Sequence, residues 1–190
     1  MYHFFVEPHQ IGAEEIRIEG ADVNHIRNVL RMKPGEEILI SSREGGDYFC
    51  RVEELEPEYV SAKILEEWEN KELPARIHLF QGLPKGDKME LIIQKAVELG
   101  AYRVVPVSMK RSVVKLDAKK ADAKRKRWNA VSESAAKQSK RSLIPEVAPL
   151  MTYKEAVKEA AGYDMVLLPY ESADGIRKTR ELLASVKPGT

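Results

Sequence analysis

The sequence predicts an α+β protein of two domains, and three observations along the chain lead to this prediction. The first 70 residues have the pattern of short strands separated by turn formers, which is typical of a small β-barrel. Residues 75–190 alternate between strands and helices, which predicts a mainly parallel sheet covered by helices. An acidic segment, residues 66–72, separates the two patterns. We therefore predict a barrel domain over residues 1–70 and an α/β domain over residues 75–190.

The barrel domain is predicted to contain several short strands and one helix. Runs rich in β-branched and aromatic residues predict strands over Tyr2–Val6, Glu15–Ile18, Glu37–Ser42, Asp47–Leu55 and Tyr59–Leu65. Between the second and third strands, Asp22–Arg31 has apolar residues at helical spacing, and Pro34-Gly35 ends the helix. Cys50, the only cysteine, lies in the fourth strand, where we expect a buried and inert thiol.

The α/β domain follows Pro74. Strands are predicted over Arg76–Gln81, Arg103–Ser108 and Met165–Leu168, and helices from Asp87 to Gly100, from Ala118 to Ser139, from Thr152 to Ala161 and from Ser172 to Val186. The Asp87 carboxylate is placed to cap the first helix, with Glu90 three residues later. Since the chain reaches Thr190 where another strand is due, we expect it to be a truncated form of a longer protein.

Composition excludes some classes of protein and leaves others open. The chain is 43% hydrophobic and 32% charged, as expected for a globular protein, and no apolar run approaches the roughly 18 residues of a membrane span. Its start has no signal-peptide pattern, so we expect a cytoplasmic protein. The four histidines lack metal-site spacing, and residues 82–86 lack the Gly-Lys-Ser/Thr ending of a phosphate-binding loop. We therefore expect neither a metal site nor an ATPase.

Charge is distributed unevenly along the chain. Residues 110–141 hold twelve basic and three acidic side chains, whereas residues 35–73 hold twelve acidic and four basic ones. A solvated helix explains a basic segment without any function. A nucleic acid explains it as well, because a basic stripe attracts phosphates through counterion release.

Two short segments could bind anions. Arg27 and Arg31 lie four residues apart in the first predicted helix, so their guanidinium groups would lie side by side and hold phosphates or a carboxylate. Residues 85–90 begin another helix, where free amides and the side chains of Lys85 and Lys88 favour an anion. Ordinary surface helices explain both patterns equally well.

Later polar positions also admit two interpretations. Lys95 and Glu98 could extend toward a ligand or simply pair with each other. In the basic helix, Lys124 and Arg127 are available to solvent or phosphate. Gln138 and the following Arg141 could position a base edge or cap the end of the helix.

The ordered set of these motifs resembles the RsmE family of ribosomal RNA uracil-N3 methyltransferases, in the SPOUT superfamily. The motifs that carry the resemblance are His25 with Val29-Leu30-Arg31, Lys85 through Lys88, Gln94-Lys95 with Glu98-Leu99-Gly100, Arg111-Ser112-Val113, Lys126-Arg127-Trp128, and Glu133 with Gln138 through Arg141 and Pro145. The resemblance implies a PUA-like RNA-binding barrel followed by a trefoil-knot methyltransferase domain that is incomplete at its C-terminus. It also implies S-adenosylmethionine as methyl donor, small-subunit ribosomal RNA as substrate, and a homodimer.

The resemblance implies roles for particular residues. Catalytic candidates are Glu98, as proton acceptor, with Arg111 and Gln138. The donor would contact Leu168, Pro169, Tyr170 and Glu171. RNA would contact His25, Arg31, Lys85, Lys88, Lys95, Arg111, Arg127, Gln138 and Arg141. Arg27 and Lys124 are further candidate RNA contacts because of their charge and their positions on predicted helices. The family's Gly-Pro-Glu-Gly-Gly donor loop does not occur in this sequence, so we expect the chain alone to be inactive or nearly so.

Two other functions remain open on the sequence alone. A non-catalytic RNA-binding module of ribosome assembly would use the barrel and the basic helix without a methyl donor. A metabolic α/β enzyme with a small acidic substrate would use Arg27 and Arg31, but it leaves the basic helix unexplained.

Overall fold

The computed structural model describes residues 1–69, 72–110, 112, 114, 116–169 and 177–189, without the side chains of 177–179. The chain divides into two units. Met1–Glu72 and Glu133–Ile144 form the N-terminal unit, and Leu73–Ser132 with Pro145–Thr190 form the C-terminal unit. The long basic helix therefore contributes its first part to the C-terminal unit and its last part to the N-terminal unit.

The N-terminal unit is built on a five-stranded sheet of order β1-β3-β4-β5-β2. Its strands are β1 (Tyr2–Val6), β2 (Glu15–Glu19), β3 (Glu37–Ser42), β4 (Asp47–Leu55) and β5 (Tyr59–Glu67). The β1–β3 pair is parallel and the other pairs are antiparallel. Since β1 and β2 are separate edges, the predicted barrel is confirmed as a curled, open half-barrel.

Alternation of apolar and polar residues places one face of this sheet in the core. In β2, Ile16 and Ile18 are buried while their neighbours are exposed. Cys50 is fully buried in the same core, and desolvation raises its pKa to about 12. The expected burial of this thiol is confirmed, and its inertness stays a prediction that the raised pKa supports, because the reactive thiolate is disfavoured there.

The predicted helix over Asp22–Arg31 takes a different form. Helix α1 (Ala21–Asn24) passes directly into a π-helical turn, His25–Val29, in which the Leu30 amide donates to the His25 carbonyl at 2.8 Å. Arg31 then adopts a left-handed backbone conformation with φ of 54°. The prediction that Arg27 and Arg31 lie side by side on one helix face is therefore wrong, since Arg31 lies beyond the helical segment.

The C-terminal unit contains the predicted α/β alternation. Its elements are β6 (His78–Gly82), α2 (Lys88–Glu98), β7 (Arg103–Ser108), α3 (Ala118–Ser139), β8 (Glu146–Val147), β9 (Met151–Thr152), α4 (Tyr153–Ala160) and α5 (Arg177–Ala184). β6, β8 and β9 all pair with β7, and all three pairings are parallel. The predicted parallel sheet with helices is thus confirmed.

Two local predictions for this unit are wrong. Met165–Leu168 is not a strand, because no described strand pairs with it, and its last three side chains are exposed. The Asp87 side chain forms no capping hydrogen bond with α2; only its carbonyl accepts, from the Glu90 amide at 3.1 Å. The predicted helix from Ser172 is described only over α5, since residues 170–176 lie outside the described part of the chain.

Side chains of α3 bind the backbone at the edge of the parallel sheet. The Asn129 amide donates to the Val147 carbonyl and accepts from the Val147 amide, both at 3.0 Å. One turn later, the buried Ser132 hydroxyl donates to the Pro145 carbonyl at 2.6 Å. These bonds fix the position of α3 along β8. Within the described residues, no helix has the length and apolar character needed to cross a membrane.

Candidate RNA-binding site

A small open pocket lies in the C-terminal unit where β6 leads into α2. The connecting loop begins at Leu83, whose amide donates to the Val107 carbonyl at 2.9 Å, and it turns through Gly86, whose φ is 70°. Buried Met89 and Trp128 contribute apolar surface to the pocket. The pocket is lined by Leu83, Pro84, Gly86, Asp87, Met89, Glu90, Val114, Leu116, Lys124 and Trp128.

The chemistry of this pocket favours an anion at its rim. The Asp87 side chain does not cap α2, and the Glu90 amide is taken by the Asp87 carbonyl, so among the described contacts the Lys88 and Met89 amides remain available to a ligand. Lys85 and Lys88 are exposed beside these amides, and neither forms an ion pair with a described carboxylate, nor does the half-buried Lys124. The cavity volume of about 40 Å³ suits a few water molecules and not a nucleoside. This surface can therefore contact phosphate but does not enclose a base.

Arg127 lies beside this pocket but differs from the lysines in its charge balance. Its Nη2 donates to one Glu90 carboxylate oxygen at 2.9 Å, and its Nε lies 2.7 Å from the other oxygen in an ion pair. Glu90 is the more buried partner, with 21% of its side chain exposed against 62% for Arg127. The Arg127 charge is therefore largely compensated within the protein.

The catalytic candidate Glu98 lies at the other end of α2. Ten residues of helix separate it from Lys88, which corresponds to about 15 Å. Glu98 accepts from Lys95 at 2.6 Å and from Gln94 at 3.0 Å. The hydrogen bond from Lys95 lowers the pKa of Glu98, so the carboxylate is ionised and weakly basic at neutral pH.

Several other candidates belong to the N-terminal unit. His25, Arg31 and Gln138 are exposed, and Arg27 is half-buried. Arg141 differs from them, because it is 9% exposed and binds the Glu72 carboxylate through Nε at 2.9 Å. This geometry favours a structural role for Arg141.

The donor-binding candidates Leu168 and Pro169 lie outside regular secondary structure. Leu167 and Leu168 are 45% and 87% exposed, and Pro169 is also exposed. Tyr170 and Glu171, like the catalytic candidate Arg111, lie outside the described residues. No group of three or more His, Cys, Asp or Glu side chains within the described chain is arranged to hold a metal ion.

A buried polar network in the N-terminal unit was not predicted from the sequence. His3 Nε2 lies 2.8 Å from Ser41 Oγ, and the Ser41 hydroxyl donates to the Asp47 carboxylate. Burial lowers the pKa of His3 to about 4, against an opposing effect of Asp47. The three residues are separated by up to 44 positions in the chain, and only strand pairing brings them together, so no local motif reveals them.

Both units match families of RNA-modifying proteins. Residues 18–65 match an RNA methyltransferase PUA domain, and residues 71–188 match an RNA methyltransferase domain. Ribosomal RNA small subunit methyltransferase E of Bacillus subtilis is 39% identical over 178 residues, which cover 91% of this chain and 69% of that protein.

Solved structures agree with these matches. A crystal structure described only as a hypothetical protein superposes with a TM-score of 0.90 at 38% identity, and the match covers 99% of this chain and 77% of the other. Ribosomal RNA small subunit methyltransferase E from Neisseria gonorrhoeae, bound to S-adenosylmethionine, matches with a TM-score of 0.72 at 34% identity, over 84% of this chain and 66% of the other. This chain thus spans about two thirds of the length of the two named relatives.

The order of the two family matches, the identity with the Bacillus protein and the shared fold all agree with the resemblance that the motifs predicted. The chain belongs to the RsmE family of small-subunit ribosomal RNA methyltransferases.

Proposed function

We propose that this protein is part of an S-adenosylmethionine-dependent methyltransferase that modifies N3 of a uridine in 16S ribosomal RNA. The observation that carries the proposal is the match of both units, in order, to the PUA and methyltransferase domains of RNA methyltransferases. The relative from N. gonorrhoeae is bound to S-adenosylmethionine, which supports the same donor here. The N3 position comes from the family resemblance of the motifs.

The described residues supply phosphate contacts at the pocket beside α2. Lys85, Lys88 and Lys124 carry positive charge that no described carboxylate neutralises. The amides at the start of α2, which the Asp87 side chain does not cap, add to the positive electrostatic potential there. We assign these three lysines to the RNA backbone. His25, Arg27, Arg31 and Gln138 remain proposed contacts of the N-terminal unit, on the basis of their accessible side chains.

The donor would be held by the segment that follows α4. The exposed apolar side chains of Leu167 and Leu168 fit the apolar face of an adenine, and the small pocket beside α2 does not fit a molecule of that size. When bound, S-adenosylmethionine supplies an electrophilic methyl group. Pro169, Tyr170 and Glu171 stay proposed donor contacts.

Methylation of uracil N3 requires that the imide proton be lost, so the protein has to position the base and accept the proton or offset the developing charge. Glu98 is ionised at neutral pH and can accept a hydrogen bond. Its lowered pKa makes it a weak base, which favours a role in orienting Lys95 and Gln94 over a role as proton acceptor. Arg111 and Gln138 are proposed to offset charge on the base.

We propose a cytoplasmic homodimer, by the family resemblance, and we propose that the 190-residue chain alone transfers methyl groups slowly or not at all. The chain spans 69% of the Bacillus relative and lacks the Gly-Pro-Glu-Gly-Gly segment, which supports low activity. Light scattering of the purified chain during gel filtration tests the dimer.

Deletion of the gene in its host tests the activity. We expect 16S ribosomal RNA from the deletion strain to lose one 3-methyluridine, as measured by nuclease digestion and mass spectrometry, and the restored gene to return it. Unchanged ribosomal RNA would refute the proposed reaction. If the purified chain binds ribosomal RNA while the deletion leaves the modification intact, the non-catalytic RNA-binding module is the better description.

A further inference from the structure

A cluster of aromatic and charged side chains lies at the amino-terminal ends of the parallel strands. His78, Arg103 and Glu146 begin β6, β7 and β8, and the strand register places them at one level across the sheet. The pocket beside α2 follows the carboxyl end of β6. Five residues of strand separate these two edges, which corresponds to about 16 Å. The cluster is therefore distinct from that pocket.

The aromatic rings of the cluster form a partly exposed row. The His78 ring centroid lies 5.4 Å from that of Tyr102 and 4.6 Å from that of Tyr163, and Phe80 packs edge-on against Tyr163. The guanidinium carbon of Arg76 lies 5.0 Å from the Tyr102 ring centroid. All four rings are half-buried, so only part of the row is accessible to a ligand.

The charge of Arg76 distinguishes it from its neighbour. Arg103 binds Glu159 at 2.7 Å and Glu146 at 3.5 Å, so its charge is compensated. Arg76 is exposed and forms no ion pair with a described carboxylate; its described contact is the face of Tyr102. A stacked guanidinium with an uncompensated charge is prepared to bind a phosphate or stack on a base.

The hydrogen bonds of His78 determine which of its ring nitrogens carries the proton. The Tyr163 hydroxyl donates to Glu159 at 3.0 Å, so the 3.0 Å contact with His78 is a bond donated by His78 Nδ1 to the phenol oxygen. Burial, followed by the charge of Arg103, lowers the pKa of His78, which keeps the ring neutral at pH 7. In this tautomer Nε2 is an acceptor, and it can receive a hydrogen bond from the amino group of a base.

We propose that Arg76, Tyr102 and His78 form a second RNA contact. The base of an unpaired nucleotide stacks on the Arg76 guanidinium and the adjoining aromatic rings, and its phosphate lies beside Arg76. Aromatic rings and planar guanidinium groups bind the unstacked bases of single-stranded RNA, because every base presents a π face. The inference rests on the proposed function only in taking RNA as the ligand. The proposed contact lies at the amino-terminal edge of the sheet and binds RNA away from the site of methyl transfer.

The test uses the whole chain and two RNA probes, a short single-stranded oligoribonucleotide of mixed sequence and a duplex of the same length. Affinity is measured by fluorescence anisotropy over a series of salt concentrations. We expect Arg76→Ala and Tyr102→Ala each to weaken binding of the single strand about tenfold, with little effect on the duplex. Tyr102→Phe keeps the ring and should bind like the parent chain. Arg76→Ala should also reduce the salt slope by about 1.

Arg17→Ala is the matched control. Arg17 also stacks on a tyrosine, with its guanidinium carbon 3.9 Å from the Tyr59 ring centroid, but it is paired with Glu19 at 3.1 Å. We expect Arg17→Ala to leave RNA affinity unchanged. Since Arg76 is exposed, Arg76→Ala remains informative even if Tyr102→Ala lowers stability, and thermal melting identifies that case.

Three results would overturn the inference: unchanged affinity of Arg76→Ala for the single strand, an equal loss in Arg17→Ala, or no binding of single-stranded RNA by the parent chain. The methylation state of ribosomal RNA in the deletion strain is measured independently of these affinities. Failure of the second contact is therefore distinguishable from failure of the proposed reaction.

Discussion

Arg141 and Glu72 form a nearly buried ion pair that joins the two chain segments of the N-terminal unit. The Arg141 Nε donates to both Glu72 oxygens at 2.9 Å, and the two side chains are only 9% and 14% exposed. Glu72 also accepts from the Ser142 amide at 2.8 Å and from the Leu143 amide at 3.3 Å. One carboxylate thus holds both the guanidinium and the loop that follows α3.

Removal of this guanidinium should destabilise the N-terminal unit. We expect Arg141→Ala to lower the free energy of unfolding by about 3 kcal/mol, because the Glu72 charge would remain buried without its partner. Urea denaturation followed by circular dichroism measures the change. Arg51→Ala is the control, since Arg51 lies 3.9 Å from Glu37 with both side chains about half exposed, and such pairs contribute about 0–1 kcal/mol. Equal effects of the two substitutions would contradict the prediction.

Protonation of His3 should lower the free energy of unfolding as the pH falls. Its folded-state pKa is about 4 against 6.5 for an unperturbed histidine, so between these values the unfolded state binds more protons. The stabilising contribution is complete above pH 6.5 and is lost as pH falls toward 4, by about 3 kcal/mol at most. Since Ser41 Oγ donates to Asp47, it accepts from His3 Nε2, and protonation would place a second hydrogen on Nδ1, which has no described partner.

The His3→Gln variant isolates this contribution. Glutamine can still donate to Ser41 but does not titrate, so its free energy of unfolding should depend less steeply on pH between 6.5 and 4 than that of the parent chain. Urea denaturation at a series of pH values provides the comparison. Parallel pH profiles for the two proteins would show that His3 does not cause the loss.

Gly100, which follows α2, should tolerate a side chain poorly. Its φ is 97°, and an added Cβ would lie 2.5 Å from Leu73 Cδ1, the end of an exposed side chain. We expect Gly100→Ala to destabilise the C-terminal unit by about 1–2 kcal/mol, mainly from backbone strain and to a smaller extent from displacement of Leu73. Gly35→Ala is a matched control, because Gly35 has φ of 95° with nothing within 4 Å of the added carbon. A smaller effect at Gly100 than at Gly35 in thermal melting would be inconsistent with the packing argument.

The lysines beside α2 should contribute more to RNA binding than Arg127 does. We expect Lys124→Gln and Lys88→Gln each to reduce the slope of log affinity against log salt by about 1, since each removes one phosphate contact. Arg127→Gln should change the slope less, because Glu90 already neutralises that guanidinium. Filter binding of 16S ribosomal RNA at several salt concentrations measures the slopes. A larger change for Arg127 than for Lys124 would argue against this assignment.

Cys50 should report on opening of the half-barrel. Its thiol is fully buried and its pKa is raised to about 12, so the thiolate is scarce in the folded state. We expect labelling by a thiol reagent at pH 8 to be slow in buffer and to accelerate with urea in step with the loss of sheet structure. Rapid labelling of the folded protein would contradict the burial of this side chain.

Apolar residues that repeat every two or every 3.6 positions were sufficient to predict most of the strands and helices. β1, β3, β4, β7 and α3 have the bounds that the sequence predicted, because each has strong local propensity, and β1, β3 and β4 also have Pro or Gly close to one end. The segment after Asp22 was harder, since the same apolar spacing suits an α-helix and a π-turn. Met165–Leu168 has strand composition, yet strand structure also needs a partner, and no described strand pairs with it.

The candidate site was predictable only in part. Basic residues could be located from composition, but their ion pairs could not, since Arg127 and Glu90 are 37 residues apart and Arg141 and Glu72 are 69 apart. These ion pairs distinguish the two arginines, whose charges are compensated within the protein, from the lysines, whose charges are not. The ring row of His78, Tyr102 and Tyr163 likewise depends on strand register and on the turn after α4, which no short motif encodes.

The bonds between Asn129 and Val147 also bear on self-assembly. A β-strand at the edge of a sheet normally offers unpaired amides and carbonyls to any other extended chain. At β8 the side-chain amide of Asn129 bonds both the amide and the carbonyl of Val147. It thus makes the two hydrogen bonds that a neighbouring strand would make. A chain that approached this edge would find neither donor nor acceptor at that residue, so the sheet is protected there against growth into an intermolecular aggregate.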